Sequence, residues 1–217
     1  EGTIVVAEEQ TAGRGRFGRS WLSPAGKNIY VTVILHPTAN RLRRLSMLTP
    51  LAVLLAIEVA TGITPQIKWP NDVLLSGRKT GGVLIDVELV GAEPRYALVG
   101  IGVNVNYDID PESEIADIAT SVKQELGRET PREPILATLL NHIENLYEQE
   151  DAEAVRAAWK SRLETLGRDV RLSFHGEVHE GLAEDVDAEG NLILLRPDGA
   201  RQTFEAGEVS LRPPLSS

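Results

Sequence analysis

The sequence predicts an α+β protein in two parts, a larger domain over residues 1–166 and a small SH3-like β-barrel over residues 167–217. Three observations predict this arrangement. Strand-like runs of β-branched and aromatic residues occur along the whole chain. Stretches with leucine and isoleucine at helical spacing occur only before about residue 167. After that point the chain holds only short strand-like runs between glycine-containing turns, which is typical of a small barrel.

The first two predicted strands flank a basic loop. Thr3–Ala7 is predicted to be a buried strand, and Ile29–Leu35 is predicted to be the second strand. The loop between them, Gln10–Lys27, holds four cations and no acid, although the whole chain has a formal net charge of -10. Glycines allow close backbone approach to a ligand, and arginines bind carboxylates and phosphates. The loop is therefore predicted to wrap a small anionic ligand.

Leucine spacing on both sides of Pro50 predicts a helix that ends at Gly62. Because proline is favoured at the first helical position, we expect Thr49 to be the N-cap of that helix. The most apolar run, Leu51–Ala60, is too short to span a bilayer and contains Glu58, so no membrane association is expected.

Periodicity and turn residues predict the remaining elements. Further strands are predicted at Ile67–Trp69, Val73–Leu75, Lys79–Leu89, Arg95–Asn106, Val170–Phe174, Glu177–Glu184, Asn191–Leu195, Arg201–Phe204 and Glu208–Leu211. Further helices are predicted from Ile135 to Tyr147 and at Ala152–Leu166. Residues 107–119 are acidic and irregular, so a loop is expected there.

The run G-I-G-V-N-V-N at residues 100–106 predicts an unusual strand face. Because side chains alternate along a strand, Gly100, Gly102, Asn104 and Asn106 are expected on one face and the apolar residues on the core face. Glycines in a strand often mark close approach by a ligand or by another backbone. A bulge or a tight strand crossing is the alternative.

Two more segments add polar groups to the same region. K-W-P-N-D places Lys68, Asn71 and Asp72 around one turn, and K-T-G-G places Lys79 and Gly82 at the start of a strand. Together with the basic loop, these groups suit an anionic, magnesium-bound nucleotide. The P-loop pattern G-x-x-x-x-G-K-[ST] is absent, which excludes a Walker-type site.

Composition excludes several other classes of function. A pI near 5.0 disfavours a general nucleic-acid binder, which needs a broad basic surface. The chain has no cysteine, which excludes disulfides, cysteine-ligated zinc and a thiol nucleophile and fits a cytoplasmic location. His175, Glu177 and His179 could share a strand face as a metal site, but a solvated hairpin is the simpler interpretation.

These segments together resemble the biotin protein ligases, or biotin–[acetyl-CoA carboxylase] ligases. The resemblance rests on E-E-Q-T-A-G-R-G-R-F-G-R-S-W, S-P-A-G-K before N-I-Y-V-T-V, K-W-P-N-D-V, G-R-K-T-G-G-V-L-I, G-I-G-V-N-V-N and the terminal V-S-L-R. The segments come in family order and cover nearly the whole chain. The combination of G-R-G-R-x-G-R-x-W with K-W-P-N-D is highly specific.

The resemblance implies both a fold and a reaction. The expected fold is a mixed-sheet, class II synthetase-like catalytic domain related to the lipoate ligases, with an SH3-like C-terminal domain. The expected reaction has two steps and uses biotin and Mg-ATP. Biotin is first converted into biotinyl-5′-AMP with release of pyrophosphate. A lysine of a biotin carboxyl carrier domain then takes the biotinyl group and AMP is released.

The resemblance also implies the residue roles. The positions that match biotin-binding residues are Gln10, Arg14, Gly15, Arg16, Lys79 and Gly82. The positions that match ATP-binding residues are Arg16, Arg19, Trp21, Lys68, Asn71, Asn104 and Arg212, with Asn71 and Asn104 also candidates for magnesium contacts. Arg16 and Lys79 match catalytic residues, and Asp72 is a candidate to orient or deprotonate the acceptor lysine.

Alternatives remain open at this point. Family members carry a further strand and helix upstream of Glu1, with an S-T-N-type motif for the ureido ring of biotin. Because residue 1 is Glu, the chain is expected to begin inside a longer protein. It could instead be the ligand-sensing core of a ligase that is also a repressor, with DNA as a partner only if a helix-turn-helix lies upstream. A homodimer is open, and a lipoate transferase shares the fold but not the G-R-G-R-F-G-R-S-W pattern.

Overall fold

The computed structural model describes residues 1–211. Its strands are β1 Thr3–Ala7, β2 Ile29–Leu35, β3 Gln66–Lys68, β4 Asp72–Leu75, β5 Arg78–Val90, β6 Glu93–Val103, β7 Asp169–Phe174, β8 Glu177–Val186, β9 Leu192–Leu195, β10 Arg201–Phe204 and β11 Glu208–Leu211. Its helices are α1 Ala39–Thr61, α2 Val122–Leu126, α3 Arg132–Glu148 and α4 Ala152–Lys160. A 3-10 turn lies at Arg16–Gly18.

The first sheet has six strands in the order β1-β2-β6-β5-β4-β3, and its neighbouring strands all pair antiparallel. Parallel pairing between the described residues is confined to two single bridges, Ile67 with Leu163 and Lys79 with Ala119. The mixed character expected of the sheet is therefore limited to these two bridges. Helix α1 packs on strands of this sheet and also contacts α3 and α4, so it forms the centre of the larger domain.

Helix α1 is longer than the sequence predicted. Its N-cap is Thr38, whose side chain accepts a hydrogen bond from the Arg41 amide, and Pro50 lies inside the helix. The prediction of Thr49 as N-cap is therefore wrong. An interior proline removes one helical hydrogen bond, but the residues on both sides of Pro50 are buried in the core. Packing of both halves outweighs the local cost of the proline.

The same helix meets the length and composition criteria for a membrane span, which the run Leu51–Ala60 alone did not. Its most apolar 18-residue window has a mean hydropathy of 1.5, and 61% of that window is buried inside the protein. A core helix of a folded domain meets the same criteria. Helix α1 packs against the first sheet as such a core helix does.

Strand β1 forms as predicted, but it is not buried. Ile4, Val5 and Val6 are 43%, 55% and 52% exposed. In the described sheet β1 is the edge strand and pairs only with β2. The apolar sequence predicted burial because a continuous apolar run is typical of a central strand, whereas here it lies at an edge.

Two other boundaries differ from prediction. Helix α4 ends at Lys160 because the following backbone joins β3: the Ile67 amide donates to the Arg162 carbonyl, and the Glu164 amide donates to the Ile67 carbonyl, each at 2.8 Å. Helix α2 was not predicted at all. Its signals were present in the sequence, since Ser121 is the N-cap and Gly127 has a positive φ of 68° at the C-cap.

The second sheet has five antiparallel strands in the order β10-β9-β8-β7-β11. All five were predicted within two residues at each end. Its buried side chains, among them Val170 and Leu172, belong to the same hydrophobic cluster as Trp159 of α4 and Met47 of α1. The core is continuous between the two sheets, and the domain boundary at residues 166/167 stays a prediction.

The core position of α1 predicts the cost of truncating its side chains. Leu54 is fully buried and Val59 is 68% exposed. We expect Leu54→Ala to lower the free energy of unfolding by about 2–5 kcal/mol, because it removes buried methyl groups and leaves a cavity. Val59→Ala on the same helix should change it by about 0.5 kcal/mol or less. Urea denaturation measures both, and equal losses would contradict the placement of α1.

Candidate functional site

The basic loop folds back on itself as a short hairpin. Arg14 and Ser20 form an antiparallel bridge, the Trp21 amide donates to the Gly13 carbonyl at 2.9 Å, and the Gly15 amide donates to the Arg19 carbonyl at 2.7 Å. The 3-10 turn closes the tip, with Phe17 at a positive φ of 57°. These backbone bonds fix the loop without using its arginine side chains, which remain free to bind other groups.

Two arginines of the loop, Arg14 and Arg19, bind different sheets. Arg14 pairs with Asp86 of β5 at 2.8 Å. Arg19 pairs with Glu208, the first residue of β11. The loop is therefore held between the first sheet and the second.

Arg16 is the most enclosed of these arginines. Its Nη1 donates to Asn71 Oδ1 at 2.9 Å, and its Nη2 donates to the Gly207 carbonyl at 3.4 Å. Burial lowers the pKa of the Arg16 guanidinium from its ordinary value, and the carboxylate of Asp72 opposes that shift. Arg16 thus presents its charge in a partly dehydrated setting, where electrostatic attraction is stronger than in water.

Trp21 covers the glycine face of the sheet. A Cβ atom at Gly102 would lie 2.5 Å from Trp21 Cε2, and one at Gly82 would lie 3.3 Å from Trp21 Cζ3. The glycines therefore permit close approach, but the group that approaches is a side chain of the basic loop rather than a ligand or another backbone. The indole Nε1 is buried and has no hydrogen-bond partner among residues 1–211.

Lys79 lies beside this indole and pairs with Asp72. Its Nζ is 5.3 Å from the centre of the Trp21 ring and 2.6 Å from Asp72 Oδ1. Both side chains are partly exposed, at 34% and 27%. The backbone of Lys79 is held by residues 118 and 120, because its amide donates to the Ile118 carbonyl and its carbonyl accepts from the Thr120 amide, each at 2.9 Å.

The K-W-P-N-D turn joins these parts. Asn71 accepts from Arg16 and donates through Nδ2 to the Val83 carbonyl, while the adjacent Asp72 binds Lys79. The preceding Trp69 is fixed from outside the first sheet: its Nε1 donates to the Gly190 carbonyl and its amide donates to Thr165 Oγ1, each at 2.9 Å. The turn is thus a rigid support that brings Arg16 and Lys79 to neighbouring residues.

The two asparagines expected on the glycine face lie elsewhere. Strand β6 ends at Val103, so the alternation of faces does not extend to them. Asn104 is 8% exposed; its Nδ2 donates to the Thr120 carbonyl at 3.1 Å and its Oδ1 accepts from Asn28 Nδ2 at 3.3 Å. Asn106 exchanges two hydrogen bonds with the backbone of Thr130. Both amides hold loops together in this structure.

The remaining predicted site residues lie near this cluster or beyond residue 211, outside the described residues. Gln10 Nε2 donates to Ser23 Oγ at 2.9 Å, at the base of the loop. Lys68 ends β3 and is partly exposed, with no ion pair to any residue in the range 1–211. Arg212 lies outside the described residues.

Several residues at the site were missed by sequence reasoning. Asp86, Gly207 and Glu208 bind the arginines of the loop, and Gly190 binds Trp69. Their signals were weak, because a single acid on a strand or a glycine in a turn is common in any protein. Gly207-Glu208 directly precedes V-S-L-R, which was the one hint that this segment belongs to the site.

A metal centre made of side chains is not found in the described part of the chain. Over residues 1–211 no three or more His, Asp or Glu side chains come together in a way that could hold a metal ion. Of the histidine candidates, His179 Nε2 lies 3.7 Å from Glu177 Oε2, and the His179 ring packs against Phe204. The His179 ring is thus packed against β10 of the second sheet.

The cluster can bind two anionic groups side by side. Arg16, Arg19 and Lys79 supply positive charge, while Trp21 and the glycines supply a flat apolar wall. Their present partners are partly exposed side chains or single carbonyls, which an anionic ligand could replace.

Comparison with known proteins gives consistent similarities. Residues 1–104 match the model described as "Biotin/lipoate A/B protein ligase family", and residues 165–212 match "Biotin protein ligase C terminal domain". A biotin–[acetyl-CoA-carboxylase] ligase of Paracoccus denitrificans is 36% identical over 216 residues, which is 94% of this chain and 88% of the relative. A biotin protein ligase from Aquifex aeolicus, solved in complex with biotin and ATP, has a TM-score of 0.83 and 33% identity, covering 97% of this chain and 89% of that one.

A bifunctional ligase/repressor of Bacillus spizizenii is 35% identical over 212 residues, or 95% of this chain. The chain spans 65% of the length of that relative.

The contact between Trp21 and Gly102 makes a prediction that optical spectroscopy can check. Of the three tryptophans, Trp69 and Trp159 are at most 2% exposed, so a soluble quencher reaches mainly Trp21. Gly102→Ala should push the indole outward and increase acrylamide quenching. Gly100→Ala is the matched control, since its Cβ would approach no atom closer than 3.4 Å. Equal quenching in both variants would count against this position of Trp21.

Proposed function

The chain belongs to the biotin protein ligase family, and from this membership we propose that it is an ATP-dependent ligase that attaches biotin to a lysine of a biotin carboxyl carrier domain. The Paracoccus relative is named as such a ligase, and the Aquifex structure holds biotin and ATP. The observation that carries the proposal is that Arg16 and Lys79 bind the adjacent residues Asn71 and Asp72 of one rigid turn.

The first step requires two anions to meet. A carboxylate oxygen of biotin attacks the α-phosphorus of ATP, a new P–O bond forms, and the bond to the leaving pyrophosphate breaks. Cations placed in advance offset the repulsion of the reactants and stabilise the charge that grows on the phosphate oxygens. We assign Lys79 to the biotin carboxylate and the α-phosphate, and Arg16 to the same phosphate from the opposite side of the turn.

The basic loop supplies the remaining contacts for the substrates. Gln10, Arg14 and Gly15 line the biotin end, with Gly82 as the flat surface below. Arg19, Lys68 and Asn71 face the nucleotide, and Trp21 moves from the glycine face to stack on a substrate ring. Arg19 exchanges its bond to Glu208 for a phosphate oxygen, so the second sheet releases the loop when ATP binds.

Magnesium enters with ATP as part of the substrate. Mg²⁺ in nucleotide sites is held largely by phosphate oxygens and water, with one or two protein ligands. Asn71 is the better candidate for a protein ligand, since it is partly exposed whereas Asn104 is buried.

In the second step the amine of the carrier lysine attacks the acyl carbon of biotinyl-5′-AMP. A C–N bond forms, the C–O bond to the phosphate breaks, and AMP leaves. The amine must lose a proton, and we assign Asp72 to orient it or accept that proton. Asp72 can do so only after Lys79 has turned from its carboxylate to the substrate, which links the two steps in order.

The Bacillus relatives favour one alternative, the ligand-sensing core of a bifunctional ligase and repressor. This alternative shares the adenylation step and adds DNA binding. A gel-shift assay of the protein with operator DNA, with and without biotin and ATP, separates the two functions.

The proposed roles of Arg16 and Lys79 predict large losses of adenylation rate. Lys79→Ala and Arg16→Ala should each remove about 2–4 kcal/mol of transition-state stabilisation, as expected for a preorganised donor. Single-turnover formation of biotinyl-5′-AMP from biotin and Mg-ATP measures the loss. Arg201→Ala is the control, because Arg201 forms an exposed ion pair with Glu184 in the second sheet. Rates within tenfold of wild type for both site variants would refute the roles.

The role of Asp72 predicts a defect that falls mainly on the second step. With preformed biotinyl-5′-AMP and a carrier domain, Asp72→Asn should slow transfer by roughly 100-fold, the usual contribution of a general base. Raising the pH should recover part of the rate, because more of the acceptor amine is then already deprotonated. The mass of the carrier reports transfer. An unchanged transfer rate, or a defect confined to adenylation, would leave Asp72 only as the partner of Lys79.

A further inference from the structure

Glu125 is a partly buried carboxylate in the short helix α2, away from the residues assigned so far. Its side chain is 11% exposed. It accepts three side-chain hydrogen bonds: from Ser76 Oγ at 2.5 Å, from Thr120 Oγ1 at 2.7 Å and from Arg78 Nη2 at 2.9 Å. Burial raises the pKa of Glu125, but hydrogen bonds from Ser76, Thr120 and Arg78 lower it more, so the net pKa lies below its usual value.

The three donors lie on the two chain segments that hold Lys79. Ser76 lies in the turn between β4 and β5, and Arg78, the first residue of β5, directly precedes Lys79. Ser76 is itself at a positive φ of 49°, so its side chain is pinned in a turn that non-glycine residues seldom adopt. Thr120 lies in the other segment, and its amide donates to the Lys79 carbonyl at 2.9 Å.

The Glu125 carboxylate therefore links the two chain segments that hold Lys79. The bridge between Lys79 and Ala119 consists only of two backbone hydrogen bonds outside any regular sheet ladder. Without Glu125 this bridge would lose the side-chain bonds that hold both segments in register. The charge of Arg78 would also lose its partner, since its Nη2 binds Glu125 Oε1.

We propose that Glu125 is a positioning residue for Lys79, which fixes the backbone of that lysine and so the place of its ammonium group between Asp72 and Trp21. Its effect on catalysis rests on the ligase function proposed above. Its effect on the backbone of Lys79 does not. A shift of about 1 Å in a catalytic group can cost about 100-fold in rate, so a remote carboxylate can control the reaction without touching a substrate.

The substitution Glu125→Gln tests the backbone effect without any substrate. Glutamine keeps the shape but lacks the charge, and its amide nitrogen cannot accept the bond from Ser76 or Thr120. Glu58→Gln is the matched control: Glu58 accepts two hydrogen bonds from Arg162 at 3.0 Å, and its pKa is also lowered, by those bonds. It lies on α1, away from Lys79.

We expect amide hydrogen exchange at Lys79 and Thr120 to accelerate about tenfold or more in the Glu125→Gln protein, and to stay as in wild type in the Glu58→Gln protein. Exchange unchanged at both amides would overturn the proposal. Equal acceleration in both variants would also overturn it, because it would show a general loss of stability.

A double-mutant cycle tests the catalytic effect. Glu125→Gln should lower kcat for biotinyl-5′-AMP formation about tenfold, with KM for biotin and ATP changed about twofold or less. In a Lys79→Ala background the same substitution should have almost no further effect, because it acts through the missing side chain. A full additional tenfold loss in that background would overturn the proposal. Inactivity of the wild-type protein would refute the ligase function instead, while the exchange experiment would still decide the role of Glu125.

Discussion

The site depends on ion pairs that keep several cations close together. Arg14, Arg19 and Lys79 carry the same charge, and each is paired with a carboxylate, Asp86, Glu208 and Asp72 respectively. Ion pairs that are partly exposed contribute roughly 0–1 kcal/mol each. They are strong enough to order the cations and weak enough to be exchanged for the carboxylate or phosphate of a substrate. An anionic ligand could therefore replace these carboxylates as the partner of the cations.

This arrangement explains why the second sheet contributes to the site. The Gly207 carbonyl and Glu208 bind arginines of the loop, and the Gly190 carbonyl holds Trp69 beside Asn71 and Asp72. The core is continuous across the two sheets, so these contacts rest on a rigid base. Rigid support matters here because neither Arg16 nor Lys79 forms a covalent bond in the proposed reaction. Their whole contribution depends on where they are held.

The elements of the fold were largely predictable because their signals are local. β-Branched runs, Gly62 at the end of α1 and the turns of the second sheet each specify their own structure from a few adjacent residues. Helix α2 was missed although its cap residues, Ser121 and Gly127, are local signals, whereas the failures at α1 and β1 involve tertiary context. Packing on both sides kept α1 continuous through Pro50, and edge position rather than composition decided the exposure of β1.

In the site, too, local sequence signals were predictive and contacts between residues distant in the chain were not. The glycines at 82 and 102 predicted close approach, but only the structure shows that Trp21 makes it. Asn104 was expected on a ligand-facing strand, yet β6 ends one residue earlier and buried amide bonds hold the side chain. The pairing of Glu125 with Ser76 spans 49 residues, and nothing in the spacing of either one points to the other.

The contacts of Arg16 and Arg19 with Gly207 and Glu208 also bear on how such proteins can be recombined. A chimera that joins residues 1–166 of this chain to the barrel of a relative would inherit only part of the site, because its pieces are scattered from the basic loop to β11. Domain exchanges between relatives should therefore succeed when the basic loop and the start of β11 come from the same protein. Over evolutionary time, those two segments are expected to change as one unit despite the distance between them in the chain.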